Sequence, residues 1–308
     1  MLRRTLLALA GSQRVEQLAS TMPVSSGIVA RFVAGETTAR AITATAALVG
    51  DGLQVTLDHL GEDAIDRARA TRAVAAYLEG LEALVEAGLT PAAEVSVKLS
   101  AVGQALTGGH DVALDNARRI CEAARAAATT VTLDMEDHTT TDSTLAVLAE
   151  LRRDFPETGA VVQSQLHRTE ADCKDLAHMG SRVRLCKGAY KEPARVAYQS
   201  RRDVDRSYVR CLKVLMQGDG YPMVATHDPR LIRIAAMLAG RADRSPGTYE
   251  YQMLYGIRPE EQKRLARAGE SVRVYVPYGD QCYGYLMRRL AERPQNLAFF
   301  VRSLATKS

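Results

Sequence analysis

The sequence is short of the features that most often betray a function. No apolar run approaches the roughly 20 residues a bilayer-spanning helix needs. The apolar stretch Leu6–Ala10 is too short for the core of a signal peptide, and Arg14 and Glu16 follow it. The five cysteines, Cys121, Cys173, Cys186, Cys211 and Cys282, are scattered, odd in number and form no CxxC. That pattern fits a reducing compartment better than a disulfide framework. A cytoplasmic location is therefore expected, with peripheral contact at the inner face of the cell membrane left open. The net charge of +4 is too small to call for nucleic acid. No block of Lys and Arg with interleaved aromatics occurs either, so no nucleic-acid partner is expected.

Nucleotide and catalytic fingerprints are missing as well. There is no GxGxxG and no GxxxxGKS/T, and no GxSxG elbow or Cys/His signature of covalent catalysis. The six histidines, His59, His110, His138, His167, His178 and His227, give no HxH and no HExxH. No metal is expected, although the acidic group Asp134, Glu136 and Asp137 is a conceivable site.

What is present is a rhythm. Residues 1–48 read as a helical arm, and residues 49–308 as one barrel domain. β-prone apolar runs fall at Leu53–Leu57, Glu94–Leu99, Val131–Met135, Ala160–Gln165, Arg182–Cys186, Pro222–Thr226, Tyr249–Leu254 and Val272–Val276. Helix-prone stretches lie between them, at Asp63–Ala87, Ala113–Ala128, Ser143–Asp154, Glu170–Met179, Arg195–Gln217, Arg230–Leu238 and Pro259–Ala268. Asp142 and Asp228 stand where N-caps belong. Strand and helix alternating with short connections indicate a parallel sheet. Eight units over roughly 250 residues match an α/β fold of the distorted (β/α)8 TIM-barrel type. A doubly wound sheet is the alternative, but it would be shorter and would carry a glycine fingerprint after its first strand.

Polar residues collect at the strand ends, where such barrels place their chemistry. Lys98, Asp134, Gln163, Arg184, Lys187, Gly188, Thr226, His227 and Tyr275 all fall there. Buried charge is costly unless it is paired or bound to a ligand. Each residue has a plainer explanation: Lys98 and Asp134 could neutralise each other, and His227–Asp228 could be a turn and cap. Arg184 and Lys187 are harder to dismiss, and the expectation is a cationic mouth that takes a carboxylate or phosphate. Ser271–Glu292 adds to it. Its strand is expected to stop at Pro277 and Gly279. A helical pattern from Gln281 then carries Arg288 and Arg289, which suit a carboxylate or phosphate, and Glu292. An Arg288–Glu292 pair on a solvated helix face is the alternative.

The motifs VSVKLS, LDMED, VVQSQL, RLCKGAY, YPMVATHD, YEYQMLYG and VYVPYG…YLMRRLAE, ordered from Lys98 to Glu292, resemble those of monofunctional bacterial proline dehydrogenases. They also resemble the matching domain of the bifunctional proline utilisation enzymes. The resemblance implies an FAD-dependent barrel that oxidises L-proline to Δ1-pyrroline-5-carboxylate. It implies a membrane quinone as electron acceptor, with transient membrane contact, and a separate pyrroline-5-carboxylate dehydrogenase downstream. By the same resemblance Asp134 and Arg184 take the catalytic positions, and Lys98, Tyr275, Leu254, Arg288 and Arg289 bind substrate. Met135, Gln163, Arg184, Cys186, Lys187, Gly188, Ala189, Thr226, His227 and Glu292 line FAD. The chain departs from the family pattern at Lys191, where the bifunctional enzymes carry Trp, and at Cys186, where many relatives carry Val. A flavin barrel for another imino or amino acid, or a non-catalytic barrel sensing an anionic metabolite, are the competing readings.

Overall fold

A computed structural model of the chain describes residues 31–61, 63–279 and 281. The described part builds a parallel sheet of 8 strands ordered β3-β2-β1-β8-β7-β6-β5-β4. The strands are β1 (Gln54–His59), β2 (Ala93–Val97), β3 (Val131–Leu133), β4 (Ala160–Gln163), β5 (Arg182–Cys186), β6 (Tyr221–Ala225), β7 (Glu250–Leu254) and β8 (Val272–Tyr278). Helix α1 (Thr38–Gly50) precedes β1. After the first seven strands come α2 (Arg67–Glu86), α3 (Gly109–Ala126), α4 (Thr141–Leu151), α5 (Thr169–Leu176), α6 (Arg201–Gln217), α7 (Pro229–Arg241) and α8 (Pro259–Arg267). The expected alternation is thus observed strand by strand, and the sheet curls into a nearly closed barrel.

Two junctions close it. β1 pairs with β8 along its whole length, from Gln54 opposite Arg273 to His59 opposite Tyr278. β3 and β4 meet at a bridge between Thr132 and Gly159, where Leu133 N donates to Gly159 O at 2.9 Å and Gly159 N to Val131 O at 2.8 Å. A Cβ at Gly159 would lie 2.5 Å from Thr132 Oγ1, so only glycine lets the two strands come this close. Helix α1 packs against β1, β8 and α2 and adds Ala41 to the core. It fills the outer position between the last strand and the first. The arm boundary drawn at residue 48 falls inside this helix; the rest of the proposed arm, residues 1–30, lies outside the described residues.

The main apolar core lies between the sheet and the helices. Leu57, Val95, Val97, Leu133, Val162, Leu185, Val224, Met253, Val274 and Val276 point outward to it and are buried. Each full burial of such a side chain contributes about 1.5–3 kcal/mol. The intervening residues face the barrel interior, and many are polar: Thr56 and Asp58, Glu94 and Ser96, Arg182 and Arg184, Glu250 and Gln252, Arg273. A barrel interior is more often filled by Val, Ile and Leu. Here the lower layer is an ionic lattice. Glu94 accepts from Arg182 Nη2 at 2.6 Å, Thr56 Oγ1 at 2.9 Å and Thr130 Oγ1 at 2.8 Å. Arg273 Nε donates to Glu250 Oε1 at 2.8 Å. Burial alone would raise the Glu94 pKa, but Arg182, Arg273 and Arg184 outweigh it and hold the carboxyl well below the usual range.

Several boundaries differ from expectation. Pro277 does not stop β8, which runs on to Tyr278 with Pro277 opposite Asp58. In this stretch the odd-numbered residues turn their backbone groups toward β7, because Tyr275 O accepts from Tyr255 N, and β7 has ended by Pro277. The missing N–H therefore costs no ladder bond, and Pro277 O accepts from Ala34 N at 3.0 Å. Asp228 caps α7 and accepts from Arg230 N, with Pro229 at the first helical position. Asp142 is not a cap; it lies in the first turn of α4 behind Thr140, where its charge favours the helix dipole. The helix expected from Arg195 begins only at Arg201, because Ser200 caps it and accepts from Asp203 N.

Candidate active site

The strands' inward alternation continues past their C-terminal ends and brings four distant side chains together. Lys98 follows β2, Asp134 follows β3, Arg184 sits in β5 and Tyr275 in β8. Asp134 is their common partner. Its Oδ1 accepts from Arg184 Nη1 and from Ser96 Oγ, both at 2.8 Å. Its Oδ2 accepts from the Tyr275 hydroxyl at 2.6 Å and lies 3.5 Å from Lys98 Nζ. Arg184 is fixed further by Gln252 Oε1, 2.6 Å from its Nε, and by Ser96 Oγ, 3.0 Å from its Nη1. Its guanidinium stands 5.2 Å from the centroid of the Tyr275 ring. Lys98 is paired on its other side with Asp58, at the end of β1.

The electrostatics follow from this crowding. Burial raises the Asp134 pKa, but Lys98 and Arg184 outweigh it, helped by hydrogen bonds from Tyr275 and Ser96, so the carboxyl is held below its ordinary value. Burial disfavours the charge on Lys98, yet Asp58 and Asp134 more than offset that and hold its pKa above the normal range. Tyr275 is held as a neutral phenol, by burial first and then by the charges of Asp134 and Asp58. Glu136, two residues beyond Asp134, has its pKa raised by burial, against hydrogen bonds from Ser100 Oγ and N.

Among the described residues, the cations at the mouth are paired rather than uncompensated. Lys98 faces Asp58 and Asp134, and Arg184 faces Asp134. Lys187 turns to the outer helices, with Asp205 Oδ1 at 2.5 Å and Asp228 Oδ2 at 3.3 Å. Asp58 and Ser96 belong to the same cluster, although the sequence expectation does not include them. Both sit in short apolar strands at inward positions, two residues before or after another polar residue, and that spacing was the available signal.

The remaining expected residues spread around the same end. Gln163 is buried and its Nε2 donates to Glu136 O at 2.6 Å. Met135 and Thr226 are buried, and Thr226 Oγ1 accepts from Asp228 N at 3.2 Å. His227 Nε2 accepts from Leu254 N at 2.8 Å, which puts the proton of the neutral ring on Nδ1. Cys186, Lys187 and Gly188 are half-buried and Ala189 is exposed. Gly188 has φ +104°, and a Cβ there would lie 2.3 Å from Gln165 Cδ, so the chain can hug the end of β4 only as glycine. Asp134, Glu136 and Asp137 do not face one another: Asp134 serves Arg184 and Tyr275, Glu136 serves Ser100, and Asp137 serves Thr139. Arg288, Arg289 and Glu292 lie outside the described residues.

Among the described residues, no helix is long and apolar enough to cross a membrane. Comparison with known proteins places the chain. The family model described as proline dehydrogenase matches residues 41–302. The chain is 41% identical over 305 residues to a proline dehydrogenase of Deinococcus radiodurans, covering 98% of this chain and 97% of that one. It is 36% identical over 307 residues to proline dehydrogenase 1 of Bacillus subtilis subsp. natto, covering 100% of both. It is also similar to the bifunctional protein PutA of Escherichia coli, at 27% identity, covering 88% of this chain and 24% of that protein. A solved structure of proline utilization A from Bdellovibrio bacteriovorus, inactivated by N-propargylglycine, superimposes with a TM-score of 0.80 at 25% identity, over 87% of this chain and 33% of that one. The match spans the barrel and the four converging side chains alike, and the chain belongs to the proline dehydrogenase family.

Proposed function

We propose that the C-terminal mouth of the barrel binds L-proline beside FAD and oxidises it to Δ1-pyrroline-5-carboxylate, with the electrons leaving to a membrane quinone. The observation that carries this is the convergence of Lys98, Asp134, Arg184 and Tyr275 at one end of a family barrel. The donor set suits FAD. Thr226, the second amide hydrogen of Gln163, the third ammonium hydrogen of Lys187 beyond its bonds to Asp205 and Asp228, and the tightly turned backbone at Gly188 offer hydrogen-bond donors to a phosphate-bearing group, while Met135, Cys186 and Leu254 offer apolar surface to a planar one. With Ala189 and His227 these residues would hold it; the resemblance adds Glu292, which lies outside the described residues.

FAD, when bound, supplies the acceptor for the hydride that leaves the ring carbon beside the proline nitrogen. The chain supplies position and field. Lys98, with Arg288 and Arg289, would grip the carboxylate and so aim the ring. Tyr275 and Leu254 would wall that ring. Arg184 is held by Asp134, Ser96 and Gln252, and keeps a fixed positive charge at the reacting end. The ring nitrogen must be neutral when hydride leaves, because its lone pair becomes part of the new double bond. The product would pass to a separate pyrroline-5-carboxylate dehydrogenase, and delivery of electrons to quinone would bring the protein transiently to a membrane.

The test is direct. Purified protein is expected to be yellow, and L-proline is expected to bleach it under anaerobic conditions. A colourless protein that FAD cannot reconstitute, or a yellow one that proline binds without bleaching, would overturn the reading. Tyr275 at the ring wall favours the smaller ring, so kcat/KM should be higher for proline than for hydroxyproline.

A further inference from the structure

Asp58 is a buried carboxylate that the proposed reaction does not use. It stands at the end of β1 with 1% of its side chain exposed, and it accepts a hydrogen bond from Lys98, whose side chain is 28% exposed. The difference in exposure gives the pair a direction: the carboxylate lies behind and the ammonium lies toward the open end. Lys98 reaches Asp134 Oδ2 and Tyr275 Oη only at 3.5 Å each. Its firm commitment is therefore to Asp58.

We infer that Asp58 is a positioning residue, which holds the Lys98 ammonium off Asp134 and leaves it available to the substrate carboxylate. The ammonium has three donors and no acceptor. One is spent on Asp58, and the long contacts to Asp134 and Tyr275 leave capacity for an incoming anion. Without Asp58 the nearest anion is Asp134, and Lys98 would close the 3.5 Å gap to it. It would then compete with Tyr275, Ser96 and Arg184 for the same two oxygens and turn away from the mouth. Simple charge counting predicts the opposite: removing a negative group should tighten the binding of any anion. The two effects have opposite signs, which makes the inference testable. It rests on the reading that Lys98 meets the proline carboxylate.

The experiment uses FAD-loaded full-length protein and titrates cyclopentanecarboxylate, which carries the carboxylate of proline without its amine, by calorimetry. Asp58→Asn is expected to weaken binding about 10-fold, the effect of losing one hydrogen bond to a charged group. The flavin spectrum and FAD content should not change. Lys98→Met should weaken binding at least as much, and adding Asp58→Asn to it should have no further effect on binding, because Asp58 acts only through Lys98. The double variant should also melt above Lys98→Met alone, since it no longer buries an unpaired carboxylate; this comparison holds even if Asp58→Asn by itself does not fold. Unchanged or tighter binding in Asp58→Asn, an additive loss in the double variant, or a double variant no more stable than Lys98→Met would each overturn the inference. Wild-type protein that ignores the carboxylate would contradict the functional reading itself, and the inference with it.

Discussion

Tyr275 and Asp134 lie 141 positions apart in the chain, and the hydroxyl of one donates to the carboxylate of the other at 2.6 Å. The bond spans the barrel mouth from β8 to the end of β3 and is charge-assisted. Tyr275→Phe should lower kcat/KM for proline roughly 10- to 100-fold, the equivalent of about 1.5–3 kcal/mol. Steady-state kinetics with wild-type FAD content would check it. An unchanged rate would show that the bond serves the fold rather than the reaction.

Asp134 should also leave a mark on stability against pH. Its folded pKa is lowered, so its contribution is complete above the ordinary carboxylate value of about 4 and is lost as pH falls below it. Wild-type melting temperatures should therefore drop on the acid side of that point, and Asp134→Asn should give a flatter acid limb. At neutral pH the variant leaves Arg184 and Lys98 without their shared anion, and should be less stable by about 3–5 kcal/mol. Parallel acid limbs in calorimetric scans would contradict this.

Glu94 balances Arg182, with Arg184 and Arg273 at 3.8 and 3.9 Å. Glu94→Gln keeps the shape and removes the charge. The expected cost is about 3–5 kcal/mol, visible as a lower urea midpoint with an unchanged slope. A midpoint equal to that of wild type would mean the lattice tolerates an unbalanced Arg182, since Arg184 keeps Asp134 and Arg273 keeps Glu250.

Gly188→Ala places a side chain where φ is +104° and where Gln165 lies in the way. The strain should be about 1–3 kcal/mol. Differential scanning calorimetry should show a lower melting temperature, and the purified variant should retain less FAD. A variant with full FAD content and wild-type stability would exclude a special role for this turn.

Arg288→Ala and Arg289→Ala should each weaken proline binding by about 1.5–3 kcal/mol while FAD binding changes far less. Titrating each variant separately with proline and with FAD distinguishes the two effects. Equal losses of both ligands would assign the pair to the cofactor instead.

Much of the architecture is legible in the sequence. Val131–Met135, Arg182–Cys186 and Val272–Val276 read as strands because their alternation is local, and each holds one, although β3 stops at Leu133; the cap that Asp228 places on α7 is local too. The end of β8 is not legible in the sequence, because the harmlessness of Pro277 depends on where a different strand, β7, has already stopped. The place of Asp142 inside the first turn is not legible either, because capping depends on backbone angles one or two residues away.

By itself, the sequence determined the period of the fold, the end of each strand that carries polar groups, and the motifs that mark the family. Those are properties of neighbours along the chain. Which charge meets which was decided only by closure of the sheet, because β1 joining β8 and Gly159 admitting β3 to β4 set the distances across the interior. That closure gave Lys98 a partner in Asp58 and gathered Arg184 and Tyr275 on one carboxylate. Among the described residues it left Lys98, Arg184 and Lys187 paired rather than free, since a low-dielectric interior does not hold lone ions.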